Sequence, residues 1–200
     1  MRKYGLKPPR RKIKRKYLTK PAYHHSYVNL LKELLVQSRN QVWASDLTYL
    51  PFKHNFIYLA VVKDLHTRCI LGAKVSNRHN ADLSLATIKL AIANERQAPK
   101  IFHSDQGTEF MTVKCTGYLE SLGVRISVSD KASPWQNASQ ESFFGRFKDE
   151  MGDISRFETL GELVEEIYSY IHYYNRYRIH TAIKTTPQKF SESCLKKRGT

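Results

Sequence analysis

Two hundred residues with 41% hydrophobic and 26% charged side chains suit a globular chain of one domain, or one domain with an arm, and exclude a collagen-like or disordered polymer. Thirty-three Lys plus Arg against eighteen Asp plus Glu leave a net charge of +15, which calls for a polyanionic partner: nucleic acid first, an anionic membrane surface second. The longest uninterrupted apolar run, Phe56 to Val62, is far short of the roughly 18 residues of a membrane span, and no apolar signal core opens the chain, so neither insertion nor secretion is expected.

Residues 1–20 carry ten cations and no acid, among them Arg10, Arg11, Lys12, Lys14, Arg15 and Lys16. Pro8, Pro9 and Pro21 interrupt the stretch and no apolar period develops, so it reads as an extended basic arm that tracks phosphates, or as a solubilising tail. Leu30, Leu31, Leu34 and Leu35 then predict a short helix over 28–36. Three segments rich in β-branched and aromatic residues follow, at 41–52, 56–65 and 69–76, and the short polar links between them predict antiparallel hairpins. Asn80 or Asp82 can cap a helix running to about Glu95. Strands at 100–104 and 125–129, separated by a helix over 108–122, predict a parallel crossover and thus a mixed α/β fold.

After Asp130 a polar, proline-interrupted loop leads to a helix over 138–151, with Phe143, Phe144, Phe147 and Met151 on its buried face. A long helix over 159–177 carries Leu160, Leu163, Ile167, Ile171 and Tyr174 in one stripe. Its further tyrosines are explained by core packing first and nucleic-acid stacking second. The expected organisation is an arm and short helix over 1–40, a core over 41–190 and a tail over 191–200. Cys69, Cys115 and Cys194 are too few and too widely spaced for a disulfide framework or a zinc site, which suits a reducing cytosol.

Three acids call for explanation beyond folding. Asp46 sits inside a strand pattern, where Asp is disfavoured, Asp105 directly follows an apolar strand, and Glu141 lies near a helix start. Singly they read as an edge residue, a turn residue and a dipole-compensating residue. Together, a central strand, the end of its parallel neighbour and an adjacent helix can bring three carboxylates to one sheet edge. Such an oxygen-ligand site suits Mg²⁺ or Mn²⁺, and two ions could activate the attacking oxygen and stabilise the leaving oxygen of an in-line displacement at phosphorus. Lys148, two helical turns beyond Glu141 across Gly145, is placed to hold a DNA phosphate, or is a solvated helix lysine.

The strings WASDLTY (43–49), HSDQG (103–107) and NASQESFFGRFKDE (137–150), followed by YYNRYRIH (173–180) and TTPQKF (185–190), resemble the integrase-type catalytic core of IS3-family insertion-sequence transposases. Thirty-five residues separate Asp105 from Glu141, and a lysine stands seven beyond the glutamate, as in that family. The resemblance implies an RNase H-like fold, a mixed five-stranded sheet flanked by helices, and Mg²⁺-dependent DNA cleavage and strand transfer with Asp46, Asp105 and Glu141 as catalytic metal ligands. It further implies a homo-oligomer acting on transposon ends and target DNA in a bacterial cytoplasm, associated with the nucleoid. Asn175, Arg178 and His180 match the family's closing motif, read as DNA-contacting or structural, and Arg178 joins the arm and Lys148 among the expected DNA-binding residues.

Family members also carry a helix-turn-helix region before the core, which a separate protein would have to supply if the chain starts as written. The competing expectations are a non-catalytic DNA-binding remnant or regulator of a transposable element, and an RNase H-type hydrolase. The hydrolase would need a fourth carboxylate, for which Asp64 is the obvious candidate, although a hairpin-turn role fits Asp64 better.

Overall fold

Strands β1 (Val42–Phe52) and β2 (Asn55–Asp64) form a long antiparallel ribbon in register from Trp43 opposite Asp64 to Phe52 opposite Asn55. The two-residue link places Lys53 at φ 51°, as a tight hairpin requires. Strand β3 (Ile70–Ser76) adds antiparallel to β2, whereas β4 (Ile101–Ser104) and β5 (Arg125–Val128) add parallel on the other side of β1. The order β3-β2-β1-β4-β5 is the expected mixed five-stranded sheet. The computed structural model describes residues 27–105, 109–130 and 138–196, with 138–141 described by backbone alone.

Helices α1 (Ala81–Glu95) and α2 (Val113–Ser121) make the crossovers; Asn80 and Thr112 accept the backbone N–H of Leu83 and Cys115 as their N-caps. Both cover the sheet face that carries Trp43, Val62 and Phe102. Helices α3 (Ala138–Met151) and α4 (Leu160–Arg176) cover the opposite face, burying Phe143, Phe144, Phe147, Leu163 and Ile167 against Leu50, Leu59 and Val61. Thr159 and Glu162 close a reciprocal capping box at the start of α4.

The structure differs from the sequence reading in two elements. The 28–36 segment is turn and bends instead of helix. The Asn29 side chain accepts the Leu31 N–H at 2.8 Å, and Leu30 N–H donates to Ser127 Oγ at 2.9 Å, so these donors are spent on a turn and on the sheet edge; Leu35 stays exposed. A further helix, α5 (Pro187–Lys196), runs through the boundary expected at 190/191. Pro187 opens it in the position that tolerates proline, after Thr186, whose carbonyl accepts the Phe190 N–H.

Gly72 marks the closest approach of β3 to α1. A Cβ there would lie 2.6 Å from the Thr87 carbonyl oxygen and 3.0 Å from the Ala91 nitrogen, both backbone atoms. Gly72→Ala is therefore expected to destabilise the fold by about 2–3 kcal/mol, read as a lower urea midpoint at unchanged slope.

Candidate active site

Strand alternation divides β1. Trp43 and Leu47 join the α1/α2 face, while Leu50 and Phe52, and with them Asp46, belong to the α3/α4 face. The β1–β4 ladder ends at Ala44 opposite His103. Two residues beyond that pair come Asp46, still within β1, and Asp105, just past the end of β4, so both carboxylates follow the end of the parallel ladder. Among the described residues β1 has no strand on its β4 side beyond that point, which leaves room for an aspartate in a central strand. Asp46 is half-buried and its Oδ1 accepts the Leu47 N–H at 2.8 Å; Asp105 is exposed.

Helix α3 packs across this face. Phe143 and Phe147 are buried and nearly parallel, and Phe143 meets Tyr174 edge-to-face at 5.1 Å. These rings fix the helix whose first turn carries Glu141, two residues before Phe143. The Glu141 side chain, Gln106 to Thr108, Lys131 to Asn137 and the expected DNA-binding cations Arg10, Arg11, Lys12, Lys14, Arg15 and Lys16 lie outside the described residues. Lys148, on the same helix, is partly exposed, with Nζ 5.0 Å from the centre of the Tyr49 ring. Tyr49 in turn meets Phe56 edge-to-face at 5.3 Å on the outer part of the β1–β2 ribbon. Among the described residues nothing lies within 4 Å of a Cβ placed at Gly145.

His103 supports Asp105 from two residues away. The ring is 1% exposed and held between Ser127 Oγ at 2.9 Å and Ser129 Oγ at 3.0 Å, which ties β4 to β5 where the site begins. Burial pushes it down to about 4, so it is neutral in the fold. Because the unfolded ring titrates near the ordinary 6.5, the unfolded chain binds the extra proton first. Stability from this residue is thus complete above about pH 6.5 and falls as pH drops toward 4, by about 3 kcal/mol in all. Denaturation midpoints measured across that window are expected to show this slope, and His103→Gln to flatten it.

Two polar residues on β2 take opposite roles. Asp64 points to the Trp43 face, away from Asp46, and is fully buried. Its carboxylate accepts the backbone N–H groups of Asn40 at 2.6 Å, His66 at 2.9 Å and Thr67 at 2.7 Å, and the Thr67 hydroxyl at 3.0 Å. Burial pushes its pKa up, opposed by these donors. The hairpin-turn role holds, and Asp64 supplies no fourth carboxylate beside Asp46.

Lys63, the adjacent residue, faces the Asp46 side and is only 2% exposed. Burial pushes its ammonium down to about 7; Arg68 pushes the same way and Asp46 opposes both. The sequence reading missed it. The available signal was a lysine directly after the apolar run of β2 and still inside the strand.

In the closing motif, Asn175 forms a reciprocal pair with the Ile70 backbone, donating to its carbonyl and accepting its N–H at 2.9 Å each, which docks α4 on β3. Arg178 donates to Glu150 of α3 at 2.8 Å and its side chain is only 14% exposed; this bond holds the Glu150 pKa below the usual range. His180 pairs through its backbone with Thr185. Asn175 and Arg178 thus bind α4 and the segment after it to the sheet and to α3.

The donor chemistry fits a hard divalent cation: Asp46 and Asp105 offer carboxylate oxygens, with no thiol beside them, at an edge where water can complete the coordination. Among the described residues no three His, Cys, Asp or Glu side chains form a closed metal cage, and the third expected ligand, Glu141, is described by its backbone only.

Comparison with known proteins bears on the family and the fold. Integrase core domain family models match residues 36–134 and 122–187. The chain is 32% identical to the transposase for insertion sequence element IS904 of Lactococcus lactis subsp. lactis (strain IL1403), over 94% of this chain and 76% of that protein. It is 33% identical to transposase InsF for insertion sequence IS3A of Escherichia coli (strain K12), over 76% of this chain and 54% of that protein. Among solved structures it is similar to the integrase catalytic core domain of HTLV-2 in complex with magnesium, with TM-score 0.57 and 14% identity, covering 77% of this chain and 97% of that one; at that identity the likeness speaks for the fold alone.

Proposed function

The chain belongs to the IS3-type, integrase-core family of insertion-sequence transposases, and from that membership we propose that it cleaves DNA at element ends and joins the freed 3′-hydroxyl to a target strand, with Asp46, Asp105 and Glu141 as the catalytic carboxylates. The observation that carries this reading is the register that sets Asp46 beside Asp105 at the open edge of β1, on the face over which the Glu141 helix packs.

In this reading the three carboxylates hold divalent Mg²⁺ or Mn²⁺, in the two-ion arrangement used for phosphoryl transfer. When bound, the metal supplies Lewis-acid stabilisation of charge at phosphorus and its oxygens. The chain's own work is placement. Asp46 and Asp105 are fixed by a paired ladder, and the buried phenylalanines fix the helix of Glu141. The Tyr49 ring steadies the Lys148 ammonium, which then meets a DNA phosphate, and the cations of the arm follow the backbone further out. Arg178, engaged with Glu150, contributes to DNA binding by holding α3 and the segment after α4 together. We keep an arm and its following segment over 1–40 and a core from 41, and extend that core from 190 through the end of α5.

The HTLV-2 core is described in a trimeric form. For this chain we assign a multimer on two DNA ends and a bacterial cytoplasmic and nucleoid location. Among the described residues no helix is long and apolar enough to cross a membrane.

The test is a duplex carrying the element's terminal sequence, incubated with the chain in Mg²⁺ or in EDTA. A metal-dependent nick that leaves a 3′-hydroxyl, followed by joined product, is the expected result. DNA binding with no metal-dependent product would replace this reading by that of a non-catalytic DNA-binding remnant.

A further inference from the structure

Lysine is almost never fully buried unless it is paired. Lys63 is among the largest fully buried side chains of this protein, yet it belongs to no hydrophobic cluster. Its place in the ladder explains how it fits. Directly opposite on β1 stands Ala44, whose small side chain leaves room along the sheet face, and Asp46 is the next β1 residue on that face. Cross-strand diagonal neighbours of this kind lie roughly 7–8 Å apart at the backbone, within reach of a lysine side chain. Burial and Arg68 disfavour the charged ammonium, and the Asp46 carboxylate favours it. On its other side Nζ lies 5.6 Å from the centre of the Phe143 ring, two residues from Glu141 on α3. The buried lysine therefore lies between the β1 strand that carries Asp46 and the Phe143 ring of α3.

We propose that Lys63 is a positioning and charge-balancing residue that stands in for metal charge beside Asp46 in the DNA-free chain, so that divalent cations bind tightly only together with DNA. The inference rests on the reading of Asp46 as a metal ligand. Its physical basis is Coulombic: a cation held in a low-dielectric site beside Asp46 repels a second cation brought to the same carboxylate. DNA phosphates bring the negative charge that offsets both. Metal and DNA then raise one another's affinity by the same factor, as linkage requires. An unbranched aliphatic residue of similar length at 63 would fill the same space but would leave the carboxylates free to load metal without substrate.

The test measures Mn²⁺ binding by the full chain, counting free Mn²⁺ by electron paramagnetic resonance, with and without a short DNA duplex. For the unaltered chain, DNA is expected to raise the Mn²⁺ affinity by roughly tenfold or more; Lys63→Met is expected to raise the DNA-free affinity by a similar factor and to shrink the DNA-dependent gain to less than roughly threefold. Lys63→Gln, also uncharged, should behave as Lys63→Met does, and it carries the test if the methionine variant does not fold; circular dichroism and thermal melting verify the fold of each. A merely structural lysine would change melting without changing Mn²⁺ affinity, and a DNA-free affinity that is unchanged or lowered in folded variants overturns the proposal. Failure of the underlying site reading looks different: Asp46→Asn would then leave Mn²⁺ binding as it was.

Discussion

Asp46→Asn is expected to lower Mg²⁺-dependent cleavage of element-end DNA by about 10³-fold or more, a loss of about 4 kcal/mol of transition-state stabilisation, while the chain stays folded by circular dichroism and DNA affinity stays close to that of the unaltered chain. The asparagine keeps the size of the side chain and the acceptor for the Leu47 N–H, so the strand has no reason to shift. What disappears is one negative charge at the edge of β1. Asp105→Asn and Glu141→Gln are expected to match it, and because the three act as one site the double variants should cost little more than the singles. Denaturing-gel assays under single-turnover conditions, beside filter binding of the same DNA, separate the chemical defect from a binding defect. Cleavage retained in all three single variants would remove the mechanism.

Much of this architecture was legible in the residues. The β1–β3 ribbons followed from β-branched and aromatic runs broken by short polar turns, and the crossover from strand, helix, strand order. Periodicity failed where local chemistry outweighed it. Leu30, Leu31, Leu34 and Leu35 have helical spacing, but a two-turn helix is marginal by itself and Leu35 stays exposed with no face to pack against, while Leu30 N–H ties the segment to Ser127. Helix α5 was missed for the opposite reason: Ser191, Glu192, Ser193 and Lys196 hide a short element whose start is marked only by Thr186 and Pro187.

The site divides in the same way. Asp46, Asp105 and Glu141 stood out because acids in those positions are unusual and their spacing is distinctive. Lys63 and His103 did not, because their significance depends on what stands across the sheet: Ala44 and Asp46 for one, Ser127 and Ser129 for the other. Pairing of that kind is set by register, which one strand's own sequence does not contain.

Asp64→Ala should be the most damaging single change to stability, costing about 4 kcal/mol and lowering the melting temperature by about 10 °C. The carboxylate it removes gathers four donors, the N–H groups of Asn40, His66 and Thr67 and the Thr67 hydroxyl. All are part of one junction: Asn40 also binds the Trp43 indole and Glu95, so the start of β1, the β2–β3 turn and the end of α1 meet there. Alanine leaves those donors buried with nothing to accept them, and each unmet donor costs about 1–3 kcal/mol, partly recovered as water enters. Asn40 holds a left-handed backbone at φ 60°, a conformation the Asp64 bond helps maintain. Because Asp64 faces away from Asp46, the folded fraction of Asp64→Ala at low temperature should still cleave DNA at a rate close to the unaltered one. Chemical denaturation and single-turnover cleavage on the same preparation decide the matter: intact stability with lost cleavage would make Asp64 a metal ligand, whereas lost stability with retained cleavage makes it the clasp of the sheet.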